Sequence, residues 1–249
     1  MRPEERCNIF RQEDVHWWYR SSQELFLSTI KGLLAQDPAL QYILDAGCGT
    51  GGMIQALSKG LPGKKLFGID ISRQALSCCR EKALGRLAQA SIEALPFAGL
   101  SLDLVVSLDV LSDLRVRDER RGLNEICRVL KKGGYAILHL PAFKFLRGDH
   151  DLAAEVKERY TKGELYHKIS SAGFEVLICS YRYMFLFPVL LLKRSSQRRR
   201  PDRGPRSDLK SAPGWLNHAL LFVCRCENRL ISHFSLPVGT SLFCLARKL

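Results

Sequence analysis

One stretch limits what this chain can fold into: Leu44-Asp45-Ala46-Gly47-Cys48-Gly49-Thr50-Gly51-Gly52. Tyr42-Ile43-Leu44 leads into it and reads as the end of a buried strand, and Met53 to Lys59 reads as a short helix behind it. A strand that turns through glycines into a helix brings backbone N–H groups close to a ligand, because glycine has no Cβ to hold the ligand off. The glycines alone leave the ligand open, since Gly47-x-Gly49-x-x-Gly52 also fits a dinucleotide fingerprint.

The acids beside the glycines narrow the choice. Asp45 stands at the strand end, where it would repel a pyrophosphate and attract a cation. S-adenosylmethionine carries a sulfonium and an ammonium and no phosphate, so it suits such a mouth. A second apolar strand, Phe67-Gly68-Ile69-Asp70, ends in an acid 19 residues after Gly51. A carboxylate there can accept both ribose hydroxyls of an adenosine. Ser72 then has the chemistry of a helix N-cap.

Through these residues the chain resembles the class I S-adenosylmethionine-dependent methyltransferases. Their Asp-x-Gly-x-Gly-x-Gly turn corresponds to Asp45 through Gly51, and their acidic second strand end to Asp70. The resemblance implies a cofactor-binding set of Asp45, Gly47, Cys48, Gly49, Gly51, Asp70, Ile71, Ser91, Ile92 and Asp109. In the family a turn like Leu95-Pro96-Phe97 follows the loop that cups adenine, and an acid stands where this chain has Ser91. Ser91 still donates or accepts toward an adenine amine, more weakly than a carboxylate, and Ile92 offers packing and its N–H.

Strand and helix patterns alternate along the chain. Helices are expected over Asp14–Gln36, with Asp14 as cap, and over Ser72–Ala83, Arg117–Leu130, Thr161–Ser171 and Asn217–Ser232. Strands are expected at Leu87–Ile92, Leu102–Leu108, Tyr135–Leu140, Phe174–Ser180 and Ser241–Ala246. Thr161-x-x-Glu164 is a capping box, and Leu102–Leu108 is apolar enough for a central parallel strand. This order predicts an α/β, doubly wound, Rossmann-like sheet over residues 1–249. The resemblance adds that there are seven strands and that the last is antiparallel. Residues 14–36 form an N-terminal helix that opens with His16-Trp17-Trp18-Tyr19, either a staple on the domain or a lid over the ligand mouth.

Residues 184–240 form a basic helical insert before the last strand. The net charge is +13, and residues 184–249 hold +9 of it, so a whole-protein case for nucleic acid is weak. Met184 to Leu192 is apolar and too short to span a bilayer. Lys193, Arg194, Arg198, Arg199, Arg200, Arg203 and Arg206 follow it. Either the apolar run packs on the sheet as a core helix, or residues 184–210 touch an anionic membrane, with Tyr181, Tyr183 and Phe187 at interfacial depth. Nine cysteines without paired zinc-site spacing read as free thiols in a reducing compartment, and no metal site is expected. The expected location is the cytoplasm, with a peripheral position at the inner face of the membrane as an extension.

A closer resemblance is to one bacterial subgroup of these methyltransferases. It runs through His16-Trp17-Trp18-Tyr19, Leu108-Asp109-Val110-Leu111, Pro141-Ala142-Phe143, His150-Asp151, Arg159-Tyr160-Thr161, Gly173-Phe174, Ser207-Asp208-Leu209 and Leu236-Pro237-x-Gly239. Ser22 stands where that pattern has an Arg and Val156 where it has a His, and Asp113 stands where the wider family often has a His. Methyl transfer from a sulfonium needs a base only when the acceptor is protonated. The catalytic candidates are Asp109 at a strand end and His150-Asp151 in a loop, with Asp113 and His139 nearby; His139, inside a strand, suits a core position equally. The reading is an enzyme acting on a small-molecule or lipid-linked acceptor. The alternatives are an RNA methyltransferase and a cofactor-binding module without catalysis.

Overall fold

A computed structural model describes residues 3–82, 84, 86–198 and 213–249. In chain order the elements are α1 (Pro3–Gln12), α2 (Trp17–Gln36), β1 (Tyr42–Ala46), α3 (Gly52–Gly60), β2 (Lys65–Asp70), α4 (Arg73–Glu81), β3 (Leu87–Gln89) and β4 (Leu102–Leu108). They continue with α5 (Glu119–Val129), β5 (Leu130–Pro141), α6 (Asp149–Ala154), α7 (Lys162–Ser171), β6 (Phe174–Arg182), α8 (Phe187–Arg198), α9 (Gly214–Ile231) and β7 (Ser241–Lys248). The sheet order is β3-β2-β1-β4-β5-β7-β6. Strands β1 to β5 pair in parallel, and β7 runs antiparallel to both its neighbours. The expected seven-stranded sheet with an antiparallel last strand is what forms.

Strand order reverses between β1 and β4, and an open parallel sheet leaves its ligand crevice at the carboxyl ends of such a pair. Asp45 and Asp109 therefore flank the crevice by topology. The strands that hold them are fixed by burial. Leu104, Val105 and Val106 of β4 are fully buried, each contributing about 1.5–3 kcal/mol relative to exposure. Leu25, Phe26, Ile30 and Leu33 of α2 complete one covering layer, with the Phe26 ring edge-on to Phe243 at 5.8 Å.

Several boundaries differ from the pattern reading. Helix α2 starts at Trp17 with His16, not Asp14, as its cap, because the chain turns at residues 13–15 between α1 and α2. The β3 strand stops at Gln89, since Ser91 and Ala94 close a tight bridge of their own. Strand β5 begins at Leu130, not Tyr135, by running through Gly133 at φ 74°. The apolar run after β6 is not a core helix: Val189 and Leu192 of α8 are 65% and 73% exposed. Tyr181 and Tyr183 are buried, which removes them from any interfacial role. Arg199, Arg200, Arg203, Arg206 and Ser207-Asp208-Leu209 lie outside the described residues. Among the described residues no helix is long and apolar enough to cross a membrane.

Candidate active site

The turn after β1 is held from behind. The N–H groups of Gly47 and Cys48 both donate to the Ile69 carbonyl at 2.8 Å, which ties the turn to β2. Gly47 has φ 94°, and a Cβ there would sit 2.1 Å from Val110 Cγ2, so only glycine fits. Gly49 has φ 53°, and a Cβ on it would meet nothing within 4 Å, because that side opens into the cleft. Asp70 at the end of β2 accepts from Gly49 N at 3.0 Å and from Ser72 N at 2.7 Å. Its carboxylate is thereby aimed across the turn, with lone pairs left for hydroxyl donors.

Asp45 is buried, and its Oδ2 has no hydrogen-bond partner among the described residues. Burial first, and then the neighbouring Asp70 charge, push its carboxyl up to about 8. A buried carboxylate oxygen without a partner, lining a cleft, marks a place for a cationic ligand.

Glu13, ahead of α2, was not legible as part of this site. It accepts from Thr50 Oγ1 at 2.7 Å and Gly52 N at 3.0 Å, and pairs with Lys82. It thus caps α3, whose own cap residue Gly51 has no side chain to offer. Burial raises its carboxyl above the ordinary value despite the Lys82 contact.

At the end of β4, Asp109 adopts φ 59°, a left-handed backbone that a non-glycine residue holds only under constraint. Its N–H donates to the His139 carbonyl at 2.9 Å, and its Oδ1 lies 3.0 Å from His139 Nδ1. His139 is buried, and its Nε2 has no partner among the described residues. The strand position expected for His139 holds, and its pairing with Asp109 is the new fact. Trp18 packs edge-on to the His139 ring at 5.8 Å and stacks with Tyr183 at 6.3 Å. The Tyr183 hydroxyl reaches Ser21 and Ser22, and burial pushes its phenol up to about 12. Ser22 itself accepts from Arg182 Nη1 at 3.1 Å, so a guanidinium from β6 stands beside it, fully buried.

The cleft has a smaller lobe of about 160 Å³ at Asp45, Gly47, Gly49, Thr50 and Asp70. A larger lobe of about 720 Å³ extends from Gly49, Asp70, Ile71, Ser91, Ile92 and Asp109 to His150, Asp151 and Arg159. Trp18, Tyr19 and Asp109 line both, so the two lobes are continuous. All the expected cofactor-side residues except Gly51 line one lobe or the other. Ile92 is buried against the sheet, and Ser91 Oγ accepts from Glu93 N at 3.1 Å. Trp17 also lines the larger lobe, its N–H donating to Asn217 Oδ1 at 2.8 Å. The start of α2 is thereby tied to α9 as a wall of the cleft.

The loop acids behave unlike free bases. Asp151 is buried, accepts from Arg159 Nε at 2.9 Å and from Gly148 N at 2.8 Å, and serves as the N-terminal carboxylate of α6. Both Asp151 oxygens are thereby engaged, one by Arg159 and the other by the Gly148 amide. Asp113 pairs with Arg115 at 2.7 Å; burial raises its carboxyl, and Arg115 more than offsets this, leaving it below the ordinary value. His150 lines the larger lobe. Among the described residues no group of His, Cys, Asp and Glu could hold a metal ion.

A family model described as a methyltransferase domain matches residues 44–138. The uncharacterized methyltransferase YdaC of Bacillus subtilis is 35% identical over 136 residues, covering 53% of this chain and 71% of that one. A malonyl-[acyl-carrier protein] O-methyltransferase of Enterobacter lignolyticus is 33% identical over 125 residues, 47% of this chain and 46% of the relative. A tRNA (carboxymethyluridine(34)-5-O)-methyltransferase of Xenopus tropicalis is 26% identical over 133 residues, 53% of this chain and only 20% of the relative. The chain thus spans less than half the length of the last two. Among solved structures, a methyltransferase from Thermotoga maritima superposes with a TM-score of 0.60 at 18% identity, covering 99% of this chain and 96% of that one.

Proposed function

The chain belongs to the S-adenosylmethionine-dependent methyltransferases, and on that premise we propose that it methylates a small-molecule or lipid-linked acceptor held in the larger lobe of its cleft. The observation that carries this reading is the cleft itself: an acidic end at Asp45 and Asp70 opens into a lobe walled by Trp17, Trp18, Tyr183, Leu186 and Leu190. The residues present fit the cofactor. Asp45 supplies an unpartnered buried carboxylate oxygen for a positive group, Gly49 leaves room against the backbone, and Asp70 faces hydroxyl donors.

When bound, the cofactor would supply a methyl group already activated for transfer by the sulfonium that carries it. The chain's part is to hold the acceptor in line and keep water out, which is where most of such a rate comes from. Trp18 and Tyr183 stack as an aromatic wall of the lobe that Asp109 lines. An acceptor that must lose a proton would give it to Asp109 Oδ2, with His139 holding Oδ1 and sharing the charge.

The test is transfer of labelled methyl from S-adenosylmethionine into a cell extract separated into lipid, small-molecule, RNA and protein fractions. The reading expects label in the lipid or small-molecule fraction. Label in RNA alone would replace it with a tRNA-type acceptor, and binding without any transfer would replace it with a catalytically silent module.

A peripheral membrane contact through residues 184–210 belongs to the same reading. It is supported by exposed Phe185, Val189 and Leu192, of which Val189 also lines the apolar lobe, and by the basic residues that follow in sequence. Each basic residue near an anionic surface is worth about 1 kcal/mol. Sedimentation with anionic vesicles that weakens with salt is expected; full recovery in the supernatant at low salt would rule the contact out.

A further inference from the structure

We infer that the acceptor ends in an oxyanion, a carboxylate or a phosphate, at the far end of an apolar body, and that Arg159 and Arg194 read it. This rests on the methyl-transfer reading of the cleft and names its second ligand.

The two lobes of the cleft differ in chemistry. Asp45, Asp70 and Asp109 line the smaller lobe, together with Arg115, which pairs with Asp113. Two further guanidinium groups line only the larger lobe, Arg159 from the loop before α7 and Arg194 from α8. Leu186, Val189, Leu190, Leu216 and Leu220 line that lobe with them. Both arginines are buried, Arg159 to 7% and Arg194 to 2% exposure. Burying a guanidinium against apolar walls costs several kcal/mol unless something gains from it.

Arg159 is built as a receptor. Its Nε donates to Asp151 Oδ1 at 2.9 Å and its Nη1 to the Ala142 carbonyl at 2.8 Å. Asp151 is fixed in turn by the Gly148 amide. Two sides of the planar fork are thereby locked, and the Nη2 edge donates to no described residue while the side chain lines the cavity. A preorganised guanidinium edge suits a planar or tetrahedral oxyanion. Arg194 lies against Gly148 in the same wall: a Cβ at Gly148 would come within 2.6 Å of Arg194 Nη1. The absence of a side chain at Gly148 leaves the second guanidinium its place in the wall of the lobe that Arg159 also lines.

The experiment titrates the full chain with decanoate, decyl phosphate and 1-decanol in the presence of S-adenosylhomocysteine, followed by tryptophan fluorescence from Trp17 and Trp18 and by calorimetry. Decanoate and decyl phosphate are expected to bind at least about tenfold more tightly than decanol, the scale of one charge-assisted hydrogen bond. Whichever of the two binds tighter tells carboxylate from phosphate. Arg194→Gln should cut the preference to under about threefold with decanol affinity unchanged. Removing Arg159 alone strands Asp151, so the paired change Arg159→Gln with Asp151→Asn keeps the shape and removes both charges; it too should erase the preference. Equal affinity for all three probes, or a preference that survives both variants, would overturn the inference. S-adenosylhomocysteine binding is read in the same samples. If it is absent while the anion preference holds, the cofactor reading falls and the anion site stands; if it is present without the preference, only this inference falls.

Discussion

Asp45 should make cofactor binding a proton-coupled event. Its carboxyl is raised from 3.8 to about 8, by burial first and by the Asp70 charge next. The folded value lies above the unfolded one, so the folded chain holds the extra proton between roughly pH 4 and pH 8 and loses stability as pH rises across that window. With that value, most cofactor-free molecules should keep Asp45 neutral at pH 7. A ligand ammonium or sulfonium beside the unpartnered Oδ2 favours the ionised form and pulls the carboxyl back down. Binding at pH 7 should therefore release close to one proton. Affinity should rise nearly tenfold from pH 6 to pH 7 and level off near pH 8, where the ligand's own α-amino group begins to lose its proton. Calorimetry of S-adenosylhomocysteine binding in phosphate and in Tris gives the proton count from the difference in heats. Asp45→Asn should abolish the release and weaken binding about 10- to 100-fold at pH 8. The same variant should raise the stability of the cofactor-free protein at pH 8, because the ionised carboxylate costs on the order of several kcal/mol there. Heats independent of buffer, together with an affinity flat from pH 6 to 8, would refute the reasoning.

Three further outcomes are expected. Gly49→Ala should leave the fold intact at a cost of about 1–2 kcal/mol for its left-handed backbone, while abolishing cofactor binding, since the new Cβ points into the cleft; circular dichroism and titration on one sample check both. Glu13→Ala should lower stability by about 3 kcal/mol in denaturant unfolding, because it uncaps α3 and takes the main ion-pair partner from the nearly buried Lys82 side chain. Asp151→Asn should lower the melting temperature through the lost Arg159 pair, costing about 3 kcal/mol, yet leave the pH profile of turnover in place; a shifted profile would return Asp151 to the chemistry.

What could be seen in the sequence was the short-range part. The glycine turn, the acids at 45 and 70, and the Thr161/Glu164 box are local signals, and each stands at the turn, strand end or helix start that its pattern predicts. The apolar run of β4 marked the central strand for the same reason. The rest of the site is made by contacts across the sheet. Asp109 and His139 meet only because β4 and β5 pair with Leu108 opposite His139. Glu13 reaches Gly52 over 39 residues, and no local pattern announces a cap from another segment. Tyr183 was visible as an aromatic beside an apolar run; its burial depends on Glu227 of α9, which accepts from the amides of Tyr183 and Met184 and fixes the turn into α8. Asp151 looked like a loop acid because its partner Arg159 is fixed by a register the sequence does not display.

The central claim is that the glycine turn with Asp45 and Asp70 is a site for a cationic, phosphate-free adenosine ligand. The most direct measurement is calorimetric titration of the chain with S-adenosylmethionine and, separately, with NAD. The account predicts micromolar affinity for the sulfonium cofactor, none for NAD, and a loss of about 1.5–3 kcal/mol on Asp70→Ala. Tight NAD binding with no heat from S-adenosylmethionine would contradict it.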